Sequence, residues 1–156
     1  MTVMLRRQPP NRAPDPVGDP ARLAVLRGSE LLHAGNLPGL DRLTALAARL
    51  LDAPIALVTL VDEAQQVFLS DAGLTGELAA SRKTPLSHSY CQHTAAADAP
   101  LIVGDARADA RLWANPAIAA FDAIAYAGIP LHHPGGPALG TLCVVDHRPG
   151  SGRRSR

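Results

Sequence analysis

Two kinds of apolar pattern organise the chain. Ile55-Ala56-Leu57-Val58-Thr59-Leu60-Val61 and the run from Ala138 to Val145 are apolar at both odd and even positions. Successive side chains of a strand point to opposite faces, so each run predicts a strand covered on both sides. Leu40, Leu43, Ala47 and Leu50 instead recur at helical spacing. They form one apolar stripe and predict a helix from Pro38 to Leu51, closed by Pro54. Upstream, Asp19 followed by Pro20 reads as a cap and first turn of an earlier helix. That helix runs to about Leu31 and breaks at Gly35-Asn36.

The remaining segments follow the same logic. Asp62 to Gln65 is a polar turn, and Gln66 to Asp71 returns as the second arm of a hairpin. Residues 72–85, with Gly73 and Gly76, read as a loop, and Leu86 to Ala97 as a short helix. Leu101-Ile102-Val103 is a brief strand, and Asp105 to Arg111 a charged loop. Asn115-Pro116 caps another short helix. Ala123 to Leu131 is a strand, His132 to Pro137 a turn, and Ala138 to Val145 the last strand. A hairpin at each end predicts an α+β fold: a central antiparallel sheet of five to six strands with helices packed on both faces. Strands do not alternate with long helices, and no GxGxxG or GxxxxGK[ST] is present, which argues against a nucleotide-binding parallel sheet. Residues 1–19, with four prolines, read as a flexible leader, residues 20–148 as the folded domain, and residues 149–156 as a disordered basic tail.

Composition narrows the function classes. The 156 residues suit one domain with a core that needs no metal or disulfide. Lys+Arg number 15 against 14 Asp+Glu, so no strong field draws in nucleic acid or an anionic membrane. Aromatic residues make up 3 %, too few for a base-stacking platform. No apolar run approaches the roughly 18 residues of a membrane span, and no apolar segment follows Arg6-Arg7 as in a signal peptide. A reducing cytoplasm is the expected location. The two cysteines, Cys91 and Cys143, form neither a CxxC zinc pair nor a disulfide framework.

From Arg22 to Arg148 the order of segments resembles a GAF domain, most closely the bacterial kind found ahead of diguanylate cyclases, sensor kinases and PP2C-type phosphatases. The resemblance rests on Leu40 to Ala47 with Ala53 to Val58, on Val61-Asp62 with Gln66 to Ser70 and Gly73-Leu74, and on Tyr90-Cys91-Gln92-His93. It continues in Asp105-Ala106-Arg107-Ala108-Asp109 with Asn115-Pro116, in Tyr126 to Leu131, and in Leu139 to Asp146. It implies a non-catalytic regulatory domain in bacterial signal transduction. Such a domain would bind a small molecule between the sheet and the Ser87-to-Trp113 segment, and signal through a homodimer or an effector kinase, cyclase or phosphatase. The family usually has a long helix after the last strand. The ten residues after Asp146 carry Gly, Ser and Arg instead, so the usual helical dimer is not expected from them.

Candidate ligand-pocket residues are Ser89, Cys91, His93, Asp105, Arg107, Asp109, Trp113 and Tyr126. Each also has a structural reading. Cys91 and His93 fit a bilin-attachment site, a redox thiol, or a buried thiol beside a helix-capping histidine. Bilin sites of the family commonly place His directly after Cys, whereas Gln92 intervenes here. Free methionine sulfoxide reductases of the family use a set of cysteines, and this chain lacks a third thiol. Arg107 can hold a ligand carboxylate or phosphate, or pair with Asp105. Trp113 and Tyr126 can line a cavity or fill it. His88 and His93 are five apart, a poor spacing for one helix face, and no metal is expected. No Ser-His-Asp order or paired-carboxylate spacing points to catalysis, and no cofactor is named. An interaction module with a filled pocket, and a cysteine-dependent redox enzyme or photosensor, are the alternative readings.

Overall fold

A computed structural model describes residues 16–35 and 37–150. Most of the Pro-rich leader, Asn36 of the expected break, and most of the basic tail lie outside the described residues. Six strands form one antiparallel sheet: β1 (Ile55–Val61), β2 (Gln65–Ala72), β3 (Lys83–Pro85), β4 (Leu101–Val103), β5 (Ala125–His132) and β6 (Ala138–Asp146). Their order across the sheet is β3-β2-β1-β6-β5-β4. The two runs that are apolar on both faces, β1 and β6, therefore pair in the middle, from Ile55 opposite Val145 to Leu60 opposite Gly140.

Helices cover both faces. α1 (Pro20–Gly28) and α2 (Pro38–Leu50) lie on one side, and α3 (Gly76–Ser81), α4 (Cys91–Ala97) and α5 (Ala117–Phe121) on the other. The alternation of β1 divides the core accordingly. Val58 and Leu60 pack with Leu26 and Leu69 beneath α1 and α2. Leu57 and Val61 pack with Phe68, Tyr90, Leu112 and Tyr126 beneath the shorter helices. Polar pins hold the first layer in place. Ser70 Oγ donates to Asp41 Oδ1 at 2.6 Å and lies 3.0 Å from Thr44 Oγ1, which fixes α2 on β2. Buried Arg22 donates to the carbonyls of Val17, Val61, Ala138 and Leu139, tying α1 to the ends of β1 and β6.

Several segments differ from the pattern-based expectation. Residues 72–85 contain α3 and β3 rather than a plain loop. β3 is three residues long and pairs with β2 only from Gln65 opposite Pro85 to Val67 opposite Lys83. Such a short edge strand, ending in proline, has no periodicity to read. The single helix expected over Leu86 to Ala97 is a 3₁₀ turn at Leu86–His88 followed by α4, with Ser89 extended between them. α1 stops at Gly28, and Leu31–His33 forms a separate 3₁₀ turn after Glu30, whose φ is 60°. Within the segment assigned to the leader, Pro16–Gly18 form a 3₁₀ turn whose Val17 inserts into the core. Among the described residues, no helix is long and apolar enough to cross a membrane.

Candidate functional site

Beneath α3, α4 and α5 the sheet carries a small cavity of about 60 Å³. Its walls include Phe68 and Phe121, which close it, and the polar side chains of Gln66, Thr84, Cys91 and Tyr126, with Cys143 on the floor. Strand parity explains the floor. Cys143 faces Leu57 across the β1–β6 pair and Gly128 across the β5–β6 pair, all on the side away from α2. Cys91 reaches the same point from the first residue of α4.

The two thiols lie 3.7 Å apart, sulfur to sulfur. Thr141 Oγ1 donates to Cys91 Sγ at 3.0 Å, and the Tyr126 hydroxyl donates to it at 3.5 Å. A hydroxyl has a single proton. With those protons directed at sulfur, Thr94 donates to Tyr126 at 2.9 Å and Thr59 to Thr141 at 3.0 Å. The result is a buried chain of hydroxyls polarised toward Cys91. The Cys143 thiol, followed by Thr141 and Tyr126, lowers the pKa of Cys91 below that of an ordinary thiol, against burial, which acts in the opposite direction. Cys143 is raised, first by its bond to Cys91 and then by burial. Tyr126 is also raised, chiefly by burial.

Gly128 makes this geometry possible. A Cβ there would lie 2.2 Å from the Tyr126 hydroxyl oxygen, so only glycine lets the ring lie along β5 and reach both Thr94 and Cys91. The adjacent Tyr90 ring meets Tyr126 edge-on at 5.7 Å, and its hydroxyl donates to Ala123 O at 2.7 Å. One polar atom in the wall has no partner. Thr84 Oγ1 is buried and makes no hydrogen bond. A buried hydroxyl left unpaired costs about 1–3 kcal/mol, so its persistence in a cavity wall is informative.

The structure brings together only part of the expected pocket set. Cys91 and Tyr126 line the cavity. Ser89 lies behind it, buried, donating to Gln66 Oε1 at 2.7 Å and accepting from the Gln92 backbone N–H at 3.0 Å. Asp105 and Arg107 form a two-pronged surface pair at 2.9 and 2.8 Å, which holds Asp105 below the usual carboxylate range. Asp109 pairs likewise with Arg111. That hydrogen bond, with a smaller contribution from half-buried His93, lowers its pKa to about 2. Trp113 is 67 % exposed. Asp105, Arg107, Asp109 and Trp113 sit outside the cavity, because the charged loop turns onto the surface while Ala106 and Leu112 anchor it inward, and half-buried His93 of α4 is not in the cavity wall either. Gln66, Thr84, Phe121 and Cys143 were not among the candidates. The parity of Gln66 with Phe68 was a usable signal, but Thr84 falls in a segment without any. Among the described residues, no group of three or more His, Cys, Asp or Glu could hold a metal ion.

Larger apolar grooves lie on the opposite face. One of about 480 Å³ is walled by Leu31, Leu40, Val58, Leu60 and Leu139, and another of about 300 Å³ by Leu51, Ile102, Ile129 and Leu142. Volume alone favours these, but their walls are almost wholly apolar, with Thr59 and His132 the hydrogen-bonding side chains of the first and none in the second beyond Cys143, whereas converging polar groups give a small-molecule site its specificity.

Known proteins supply an independent comparison. The chain is 32 % identical over 137 residues to a cyclic di-GMP phosphodiesterase of Pseudomonas aeruginosa, a match that covers 87 % of this chain and 22 % of that protein. The chain thus spans about a fifth of that relative's length. Among solved structures, it is similar to the GAF domain of an Acinetobacter phosphoenolpyruvate-protein phosphotransferase. There the TM-score is 0.56 and the identity 18 %, over 85 % of this chain and 80 % of that one. A free methionine-R-sulfoxide reductase from Neisseria meningitidis shares the fold with a TM-score of 0.54 and 16 % identity, over 83 % and 71 % of the two chains. The family model for the GAF domain matches residues 39–155. Together with the six-stranded antiparallel sheet between two helical layers, that match places the chain in the GAF domain family.

Proposed function

We propose that this GAF domain is a non-catalytic regulatory module of bacterial signal transduction that senses a small molecule in the cavity beneath α3, α4 and α5. The supporting observation is Thr84 Oγ1, buried, unpartnered and in the cavity wall beside Gln66, Cys91 and Tyr126. A bound polar group would satisfy it. The cavity of about 60 Å³ accommodates a ligand of only a few heavy atoms as it stands. A nucleotide needs several hundred Å³. It would enter only by displacing Leu78 and Phe121, which sit on helices of six and five residues. Such short helices are held by few contacts and can shift without unfolding the sheet. The effector would be a kinase, cyclase or phosphatase. A thermal-shift screen with nucleotides, amino acids and bilins tests the reading. Stabilisation by one class, lost in Thr84→Val, supports it, and a flat response to all three removes it.

A second reading is favoured by the opposite face. Leu51 is 61 % exposed and Ile102 80 % in the wall of the groove between α2 and β4–β5, and Leu50, the residue before Leu51, is 74 % exposed. A cluster of large exposed apolar side chains marks an interaction surface. On this reading the domain docks to another chain and the cavity is only a packing remnant. Light scattering across a concentration series separates the two: association abolished by Leu50→Glu, with no ligand found, favours the interaction module.

A further inference from the structure

We propose that Cys91 and Cys143 form a peroxide-responsive dithiol, in which hydrogen peroxide entering the cavity oxidises Cys91 and Cys143 then closes a disulfide between α4 and β6. Three features of the geometry carry this inference. The sulfurs are 3.7 Å apart and both line the cavity. Cys91 Sγ accepts from Thr141 and Tyr126, whose own oxygens are backed by Thr59 and Thr94, so four hydroxyls are oriented to stabilise negative charge on that sulfur. The cavity, at about 60 Å³, admits a molecule of the size of water or peroxide and excludes most larger oxidants. Its wall includes the half-buried side chains of Leu74, Leu78 and Phe121, whose displacement would let a small oxidant in from solvent.

The roles of the two thiols differ. The hydroxyl chain and the Cys143 thiol both favour charge on Cys91, which makes Cys91 the attacking sulfur. In the first step an S–O bond forms as the peroxide O–O bond breaks. Cys91 becomes a sulfenic acid, and the departing hydroxide takes up the thiol proton and leaves as water. In the second step the Cys143 sulfur attacks Cys91 Sγ, the S–O bond breaks, and the sulfenic oxygen leaves as a second water with the Cys143 proton. Two thiols are oxidised and one peroxide is reduced. The disulfide removes the acceptor on which Tyr126 and Thr141 converge and fastens the start of α4 to the central strand, so the wall of the proposed ligand cavity changes shape with oxidation.

The test is read on thiols, so it can fail independently of ligand binding. The folded, fully reduced protein is exposed to stoichiometric hydrogen peroxide, denatured in an alkylating agent, and analysed by intact mass and peptide mapping. The expected result is loss of both alkylatable thiols, a mass lower by two hydrogens, a linked peptide pair containing Cys91 and Cys143, and reversal by dithiothreitol. In Cys143→Ser, Cys91 is expected to stop at a dimedone-trappable sulfenic acid. The wild-type measurement needs no variant to fold. Two free thiols in the peroxide-treated folded protein, with oxidation appearing only in urea, would overturn the proposal. So would a stable wild-type sulfenic acid without the link, or a disulfide only between chains.

Discussion

The two faces of the sheet are built from the same strands yet differ in how completely they are covered. Beneath α3, α4 and α5 the side chains interlock: Leu112 is 0 % exposed, and only a small cavity is left. On the other face α2 rests on β1 and β2, pinned by Asp41, Thr44 and Ser70, and leaves β5 and β4 uncovered with Ile102 and Ile129 in solvent. The difference lies in where polar groups gather. The closed face collects hydroxyls and thiols around one cavity, whereas on the open face the polar groups of Asp41, Thr44 and Ser70 are bonded to each other under α2 and the grooves beside them are walled mainly by aliphatic side chains. A small polar ligand needs the first arrangement, and a partner surface needs the second.

Truncations measure the contrast most strongly. Leu112→Ala should cost about 3 kcal/mol through loss of burial and the cavity left behind, whereas Leu50→Ala, at a site 74 % exposed, should stay within about 0.5 kcal/mol. Urea unfolding of both variants checks this, and equal losses would mean the open face is covered in solution. Gly128→Ala comes next. The added methyl collides with the Tyr126 ring and should cost about 2 kcal/mol. It should also break the hydroxyl chain to Cys91, visible as faster alkyl labelling or a changed tyrosine environment in near-UV circular dichroism.

Smaller effects sharpen the account at the cavity and its rim. Thr84→Val removes a buried hydroxyl that has no protein partner, so the ligand-free domain should gain about 1 kcal/mol in urea unfolding. A loss of stability would show that Thr84 already has a partner. Asp109 titrates low because Arg111 holds its charged form. Its contribution is therefore complete at neutral pH and fades as pH falls from the ordinary carboxylate range through about 2. The pair is on the surface, so Asp109→Asn should remove well under 1 kcal/mol at pH 7, an increment that vanishes in acid.

How much of this was legible in the sequence follows from how much each signal depends on partners far away. β1 and β6 could be read because burial on both faces demands apolar residues at every position, a local property. α2 could be read because Leu40, Leu43, Ala47 and Leu50 keep one spacing. Even so, the stripe does not reveal that Leu43 and Leu50 remain exposed, since covering them depends on another surface. α3 and β3 were not legible, being six and three residues long, shorter than a recognisable period. At the site, the resemblance pointed to Cys91 and Tyr126. Strand parity alone could not show that Cys143 meets Cys91, because that contact spans 52 residues and depends on which helix lies over β6. The charged loop misled for a different reason: Arg107 and Arg111 are each satisfied by a carboxylate two residues earlier, a local pairing that leaves no charge for a ligand in the cavity.

The sensing role rests on an occupant that completes Thr84 in the closed face. Native mass spectrometry of the wild-type domain and Thr84→Val, both purified from the host under the same gentle conditions, tests it most directly. The account predicts a small non-covalent adduct on the wild type that is absent or strongly depleted in the variant. Identical spectra for the two proteins, bare or equally loaded, would contradict it.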